Sequence, residues 1–120
     1  MKFNEQKPIY LQIAEVMGSN IISGQWKEGE RIPSVREMGV TLAVNPATVL
    51  RAYDELSSYA VIEQRRGLGY FVSEGAPQKV LDRRKREFRE IFLPQLFEQM
   101  QSLDVSLEEV AECYNTYTEK

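Results

Sequence analysis

Residues 34–56 read SVREMGVTLAVNPATVLRAYDEL, a stretch that encodes two short helices meeting at a tight corner. Ser34 suits an N-cap and Glu37 stands three residues on, the S-x-x-E spacing in which each side chain satisfies the other residue's free backbone N–H. Val35, Met38 and Leu42 then recur at helical spacing and mark a core-facing stripe. The pattern breaks at Val44-Asn45-Pro46. Asn45 is a favoured N-cap, and Pro46 fits the first helical position, where no backbone N–H is needed. A second stripe follows in Val49, Tyr53 and Leu56, with Ala52 beside it. Helix, corner and freshly capped helix make the helix-turn-helix unit that can enter a DNA major groove. The recognition helix is expected over about residues 46–59.

Upstream, Pro8 opens a first helix and Gly24 is placed to close it. Tyr10, Ile13, Ala14, Met17 and Ile21 form its apolar face, widened by Ile9 and Val16. Gln25 to Pro33 is a loop turning at Glu28-Gly29-Glu30 and anchored by Trp26 and Ile32, with Arg31-Ile32 as a candidate very short strand. Downstream, Val61-Ile62 and Tyr70-Phe71-Val72 are β-prone, and Arg65-Arg66-Gly67-Leu68-Gly69 lies between them with two glycines to turn the chain. Three helices followed by a β-hairpin predict a mainly α winged helix-turn-helix domain over residues 1–75, its wing tip at residues 65–69.

Ser73 to Gln78 has the composition of a linker. Residues 76–120 predict a two-helix tail. Its first helix, Lys79 to Gln101, carries Leu81, Phe88, Ile91, Phe92, Leu96, Phe97 and Met100 at helical steps. Pro94 lies inside it, removes the bond to the Glu90 carbonyl and predicts a kink. The second helix, about Leu107 to Tyr117, is preceded by Ser106 with Glu109 as a capping box and by Val105 with Val110 as a hydrophobic staple.

Composition narrows the function classes. The 120 residues, 42% hydrophobic and 28% charged, describe an ordinary globular chain. No apolar run approaches the ~20 residues of a membrane span, and the N-terminus has no apolar signal-peptide core, so no membrane partner is expected. One cysteine, Cys113, permits no intrachain disulfide and fits a cytoplasmic location. Histidine is absent, which removes the commonest general base and metal ligand. No cluster of residues supports catalysis, a metal or a cofactor, so an enzyme is not expected. The net charge of −3 argues against a non-specific polyanion binder, but phosphate binding depends on local charge. Neither half is basic: residues 1–75 hold eight Lys/Arg and nine Asp/Glu, and residues 76–120 hold seven and nine. Any DNA face must come from arrangement.

The run SGQWKEGERIPSVREMGVTLAVNPATVLRAYDELSSYAVIEQRRGLGYFVS, with PIYLQIA before it, resembles the N-terminal domain of the GntR family of bacterial transcriptional regulators. The pieces that carry the resemblance are GERIPSVRE, the V-N-P-A-T-V turn, A-Y-D-E-L and the R-G-L-G-Y-F-V wing. The tail is similar to that of the YtrA-like branch, which dimerises through two helices after the wing. The resemblance implies a sequence-specific DNA-binding regulator, a repressor acting as a homodimer on a double-stranded, inverted-repeat operator, and suggests control of a transporter operon. Many family members carry Arg where this chain has Pro46, so one base-reading side chain is given up and the burden shifts to its neighbours. A winged-helix module for protein or RNA interaction is the alternative, favoured by the acidic balance but needing no Arg-tipped wing.

The DNA-binding candidates are Ser34, Arg36, Asn45, Ala47, Thr48, Arg51, Arg65, Arg66 and Gly67. Arg36 either meets DNA, where the family places an arginine, or is a solvated charge paired with Glu37 or Glu30. Asn45 is first an N-cap, and its amide could also reach a phosphate. Thr48 and Arg51 lie three apart and share a face off the core stripe. Arginine can fork onto guanine O6 and N7; the bland reading of Arg51 is an ion pair with Glu55. Ala47 allows close approach and could meet a thymine methyl. Arg65, Arg66 and Gly67 either enter the minor groove or form a soluble basic turn. The run Lys79, Arg83, Arg84, Lys85, Arg86 and Arg89 reads more readily as a solvated helix face than as a DNA contact. Because the tail is too small to bury its own apolar stripe, Leu81, Phe88, Ile91, Phe92, Leu96, Phe97, Met100, Val110 and Tyr114 are read as a dimer interface, with Tyr117 beside them. No polar cluster in the tail points to a small-molecule effector.

Overall fold

A computed structural model describes residues 6–119. The chain divides into two compact units, one up to Asp82 and the other from Arg83.

The first unit contains α1 (Ile9–Ile22), α2 (Val35–Leu42), α3 (Pro46–Ser58), β1 (Ile62–Arg65) and β2 (Gly69–Val72). Pro8 is the N-cap of α1, and Gly24, at φ +83°, releases the chain after the last turn. Ile13, Ala14, Met17 and Ile21 are buried as their spacing requires. The expected widening of this face is not found: Ile9 and Val16 are 43% and 42% exposed. Gly18 and Gln12 are buried instead, and the Gln12 amide donates to the Lys7 carbonyl at 2.7 Å.

Tyr53 of α3 is the largest side chain with no exposed surface, and its burial contributes about 2–3 kcal/mol. Its hydroxyl donates to the Pro33 carbonyl at 2.6 Å, and its ring meets Tyr70 of β2 edge-on at 4.9 Å. One residue thereby ties the second helix of the corner to the loop before the first helix and to the hairpin. Burial pushes the Tyr53 hydroxyl well above the usual phenol range, so it stays a donor.

The hairpin pairs Ile62 with Val72 and Arg65 with Gly69. The brief strand expected near Arg31 exists as a single bridge to Phe71, supported by Ile32 N–H to the Tyr70 carbonyl at 3.0 Å. Linker composition misleads at residues 73–78. Helix α4 (Ala76–Glu87) already begins there, and Ala76 and Val80 are buried in the core of the first unit. Glu28 reaches across from the loop and accepts the Gly75 N–H at 2.8 Å, which fixes the approach to α4. Small and polar residues over 73–78 here serve tight packing and a helix start.

The second unit continues from α4 through a π-helical turn, Phe88–Phe92, into α5 (Leu93–Leu103) and α6 (Leu107–Thr118). Pro94 stands one residue into α5. The Leu93 N–H reaches back five residues to the Phe88 carbonyl, so the helix meets the proline by opening one wide turn. Asp104 ends α5 in the left-handed region, and Ser106 caps α6 by accepting the Glu109 N–H at 3.1 Å. Among the described residues, none in this unit is buried.

Candidate nucleic-acid interface

The corner between α2 and α3 is held by local chemistry. Ser34 Oγ accepts the Glu37 N–H at 3.0 Å, and Glu37 accepts the Ser34 N–H at 3.1 Å. That second bond, with the Ser34 side chain and the nearby Arg31 charge, holds the exposed Glu37 carboxyl below its ordinary value. Helix α2 ends on Ala43 in the left-handed conformation, φ +55°, while the Val44 N–H returns to the Gly39 carbonyl at 2.9 Å. The chain passes so close that a Cβ on Gly39 would stand 2.9 Å from the Val44 carbonyl oxygen. Asn45 then caps α3, its side-chain oxygen accepting the Ala47 N–H at 2.8 Å with Pro46 at the first position.

Val49, Ala52, Tyr53 and Leu56 bury one face of α3. At about 100° per residue, Ala47, Arg51 and Asp54 fall on the opposite face, and all three are exposed. Thr48 lies to the side and is half-buried, so the outward face expected for Thr48 and Arg51 together is carried by Arg51 with Ala47 and Asp54. The spacing to Arg51 already marks Asp54 in the sequence, where it had been passed over. Arg51 does not pair with Glu55, whose carboxylate accepts from Tyr59. Its guanidinium carbon lies 4.0 Å from the centroid of the Tyr10 ring on α1.

Arg36 is exposed on α2, and among the described residues no carboxylate forms an ion pair with it. Neither Glu37 nor Glu30 is its partner: Glu37 closes the capping box, and Glu30 accepts the Lys27 N–H at 3.1 Å.

The wing separates the residues expected at its tip. Arg65 ends β1, donates to Glu63 at 2.8 Å and lies over the Phe71 ring at 4.2 Å. Arg66 and Gly67 form the exposed turn, closed by the Leu68 N–H to the Arg65 carbonyl at 2.9 Å, with Gly67 at φ +78°. Arg31, which sequence reasoning treated only as strand, runs beside Gly69, where an added Cβ would sit 3.1 Å from its Nε. Its bridge position next to β2 becomes visible only once the fold is formed.

The basic run of α4 is largely engaged within the chain. Lys79 donates to the Ala60 carbonyl at 3.1 Å, Arg83 pairs with Glu87 at 3.1 Å, and Arg86 approaches Glu90 at 4.0 Å. No metal-binding cluster of His, Cys, Asp and Glu occurs among the described residues, and no described helix is long and apolar enough to cross a membrane.

The family model "Bacterial regulatory proteins, gntR family" matches residues 9–72. Over 118 residues the chain is 36% identical to the uncharacterized HTH-type transcriptional regulator YhcF of Bacillus subtilis, covering 98% of this chain and 96% of that protein. It is 40% identical over 75 residues to the HTH-type transcriptional repressor YtrA of Bacillus subtilis, 62% of this chain and 58% of that one. A solved GntR-family transcriptional regulator from Bacteroides thetaiotaomicron superposes with a TM-score of 0.80 at 39% identity, over 92% of this chain and 96% of its own.

Proposed function

Because this chain belongs to the GntR family of bacterial regulatory proteins, we propose that it represses transcription as a homodimer on an inverted-repeat operator. It is a DNA-binding transcriptional regulator and not an enzyme. In the proposed complex α3 enters the major groove, led by Ala47, Thr48 and Arg51. Ser34, Arg36 and Asn45 meet the flanking backbone, and Arg66 and Gly67 carry the wing into the minor groove with Arg65 behind them. The observation that carries this reading is the division among the arginines. Arg36, Arg51 and Arg66, exposed together on α2, α3 and the wing turn, form no ion pair with a carboxylate among the described residues, whereas Arg65, Arg83 and Arg86 do; Arg31 beside the wing and Arg89 in the tail are likewise without one. A net negative chain can thus still offer guanidinium groups to phosphates and base edges.

The homodimer rests on the second unit. Phe92 and Tyr114 are 54% and 65% exposed; Phe88, Ile91 and Phe97 are exposed, and Leu81 at the end of the first unit is also exposed. Leu96, Met100 and Val110 are half-buried. So much apolar surface on a small helical unit favours a second copy as its cover. Two-fold symmetry then spaces the half-sites about one helical turn apart, near 10 bp. The repressor assignment follows the relative named for that activity.

Selection from randomised duplex DNA tests the whole reading. The expected product is a palindromic motif with that spacing. Absence of any enriched motif at low salt refutes it.

A further inference from the structure

We propose that Tyr10 is a positioning residue for DNA reading, holding the guanidinium of Arg51 in the plane from which it meets a base edge. The inference rests on the reading of Arg51 as a base contact. Arg51 lies on the outward face of α3, and a free arginine there would spread over many rotamers. Instead its guanidinium carbon is 4.0 Å from the Tyr10 ring centroid. Stacking on a ring face uses the π surface of the cation and leaves its in-plane N–H donors directed outward, so the fork that matches guanine O6 and N7 stays available. Of the two carboxylates that could compete, Glu55 is occupied by Tyr59, and Asp54 on the same face forms no ion pair with Arg51. Tyr10 is half-buried at the start of α1, the helix packed against α3, so its ring has a fixed base from which to act.

Lysine cannot replace arginine here, because a compact ammonium offers neither the planar stack nor the fork. Phenylalanine can replace tyrosine, because the contact is with the ring face and not the hydroxyl.

The test is a double-mutant cycle on the operator recovered by selection, using the full chain. Tyr10→Leu is expected to weaken binding about two- to five-fold and to reduce discrimination at the base pair read by Arg51. Tyr10→Phe retains parental affinity and discrimination. In the Arg51→Ala background, Tyr10→Leu has no further effect. Equal losses from Tyr10→Leu in both backgrounds would assign Tyr10 a general structural role and overturn the proposal. If Arg51→Ala itself leaves affinity and discrimination unchanged, the reading of Arg51 fails, which is a separate result. Should Tyr10→Leu not fold, the free parent protein still reports: ring current shifts the Arg51 Nε–H and side-chain resonances upfield of those of Arg36 and Arg66. Coincident shifts for the three arginines contradict the stack.

Discussion

Gly39→Ala decides whether the corner between α2 and α3 is built as described. Taken alone, the exchange should help: alanine is favoured over glycine inside a helix by about 1 kcal/mol, and Gly39 has ordinary helical backbone. Against this stands the Val44 carbonyl oxygen, 2.9 Å from the position a Cβ would take. That oxygen belongs to the backbone of the turn itself, and the Val44 N–H is already bonded to the Gly39 carbonyl at 2.9 Å. Pro46, at 3.7–3.8 Å, closes the remaining room and is fixed at the start of α3. No flexible side chain can yield, so the turn must shift. Overpacking costs about 1–3 kcal/mol, and a 2.9 Å approach to backbone places this case near the middle, about 2 kcal/mol, which exceeds the propensity gain. The expected net loss of about 1 kcal/mol lowers the melting temperature by roughly 4–8 °C for a domain of this size. Thermal unfolding followed by circular dichroism at one fixed protein concentration measures it, since any assembly makes the midpoint concentration-dependent. An unchanged or higher midpoint refutes the close passage at Val44.

Other consequences can be checked alongside. Tyr53→Phe removes the donor to the Pro33 carbonyl and should cost about 1 kcal/mol in denaturant unfolding, with the Tyr70 contact retained. Arg51→Ala should weaken operator binding by ~1–3 kcal/mol and relax preference at one base pair per half-site, read by competition with single-base operator variants. Glu37, with its folded pKa lowered, adds stability that is present above its unfolded value of 4.5 and is lost as pH falls through the lower folded value. Carboxyl NMR titration should place its midpoint below the ordinary value of 4.5, and a midpoint at that value would count against the bond to Ser34. Truncation after Asp82, which keeps Ala76 and Val80, should leave a folded monomer by sedimentation, and a persisting dimer would relocate the interface.

The corner was legible in the sequence because its signals are local. Ser34 and Glu37, then Asn45 and Pro46, each act within one helical turn, and the structure makes the bonds their spacing implies. Helix α1 was legible in its centre and overread at its edges, since periodicity cannot tell how wide a buried stripe is; Ile9 and Val16 lie beyond it. What escaped depends on contacts between distant segments. Glu28 with Gly75 and Lys79 with Ala60 leave no periodic trace. The stacking of Arg51 on Tyr10 likewise appears only when α1 and α3 are packed, and sequence reasoning had offered Glu55 as the nearest partner. At the wing the basic cluster was visible, but strand alternation assigned Arg65 to Glu63 and Phe71 and left Arg66 at the turn.

The wide turn before Pro94 also resets the count along the tail. A bond reaching five residues back takes one extra residue into the turn, so everything after it is offset by about 100° from an uninterrupted helix. On such a helix Leu96 and Met100 would stand roughly 80° and 120° around from Phe88. Subtracting the offset brings both to within about 20° of it. The proline that forbids a straight helix therefore converts a stripe that would have spiralled away into one continuous seam. A single-residue insertion or deletion between Phe88 and Pro94 would shift that seam out of phase while leaving every apolar residue in place.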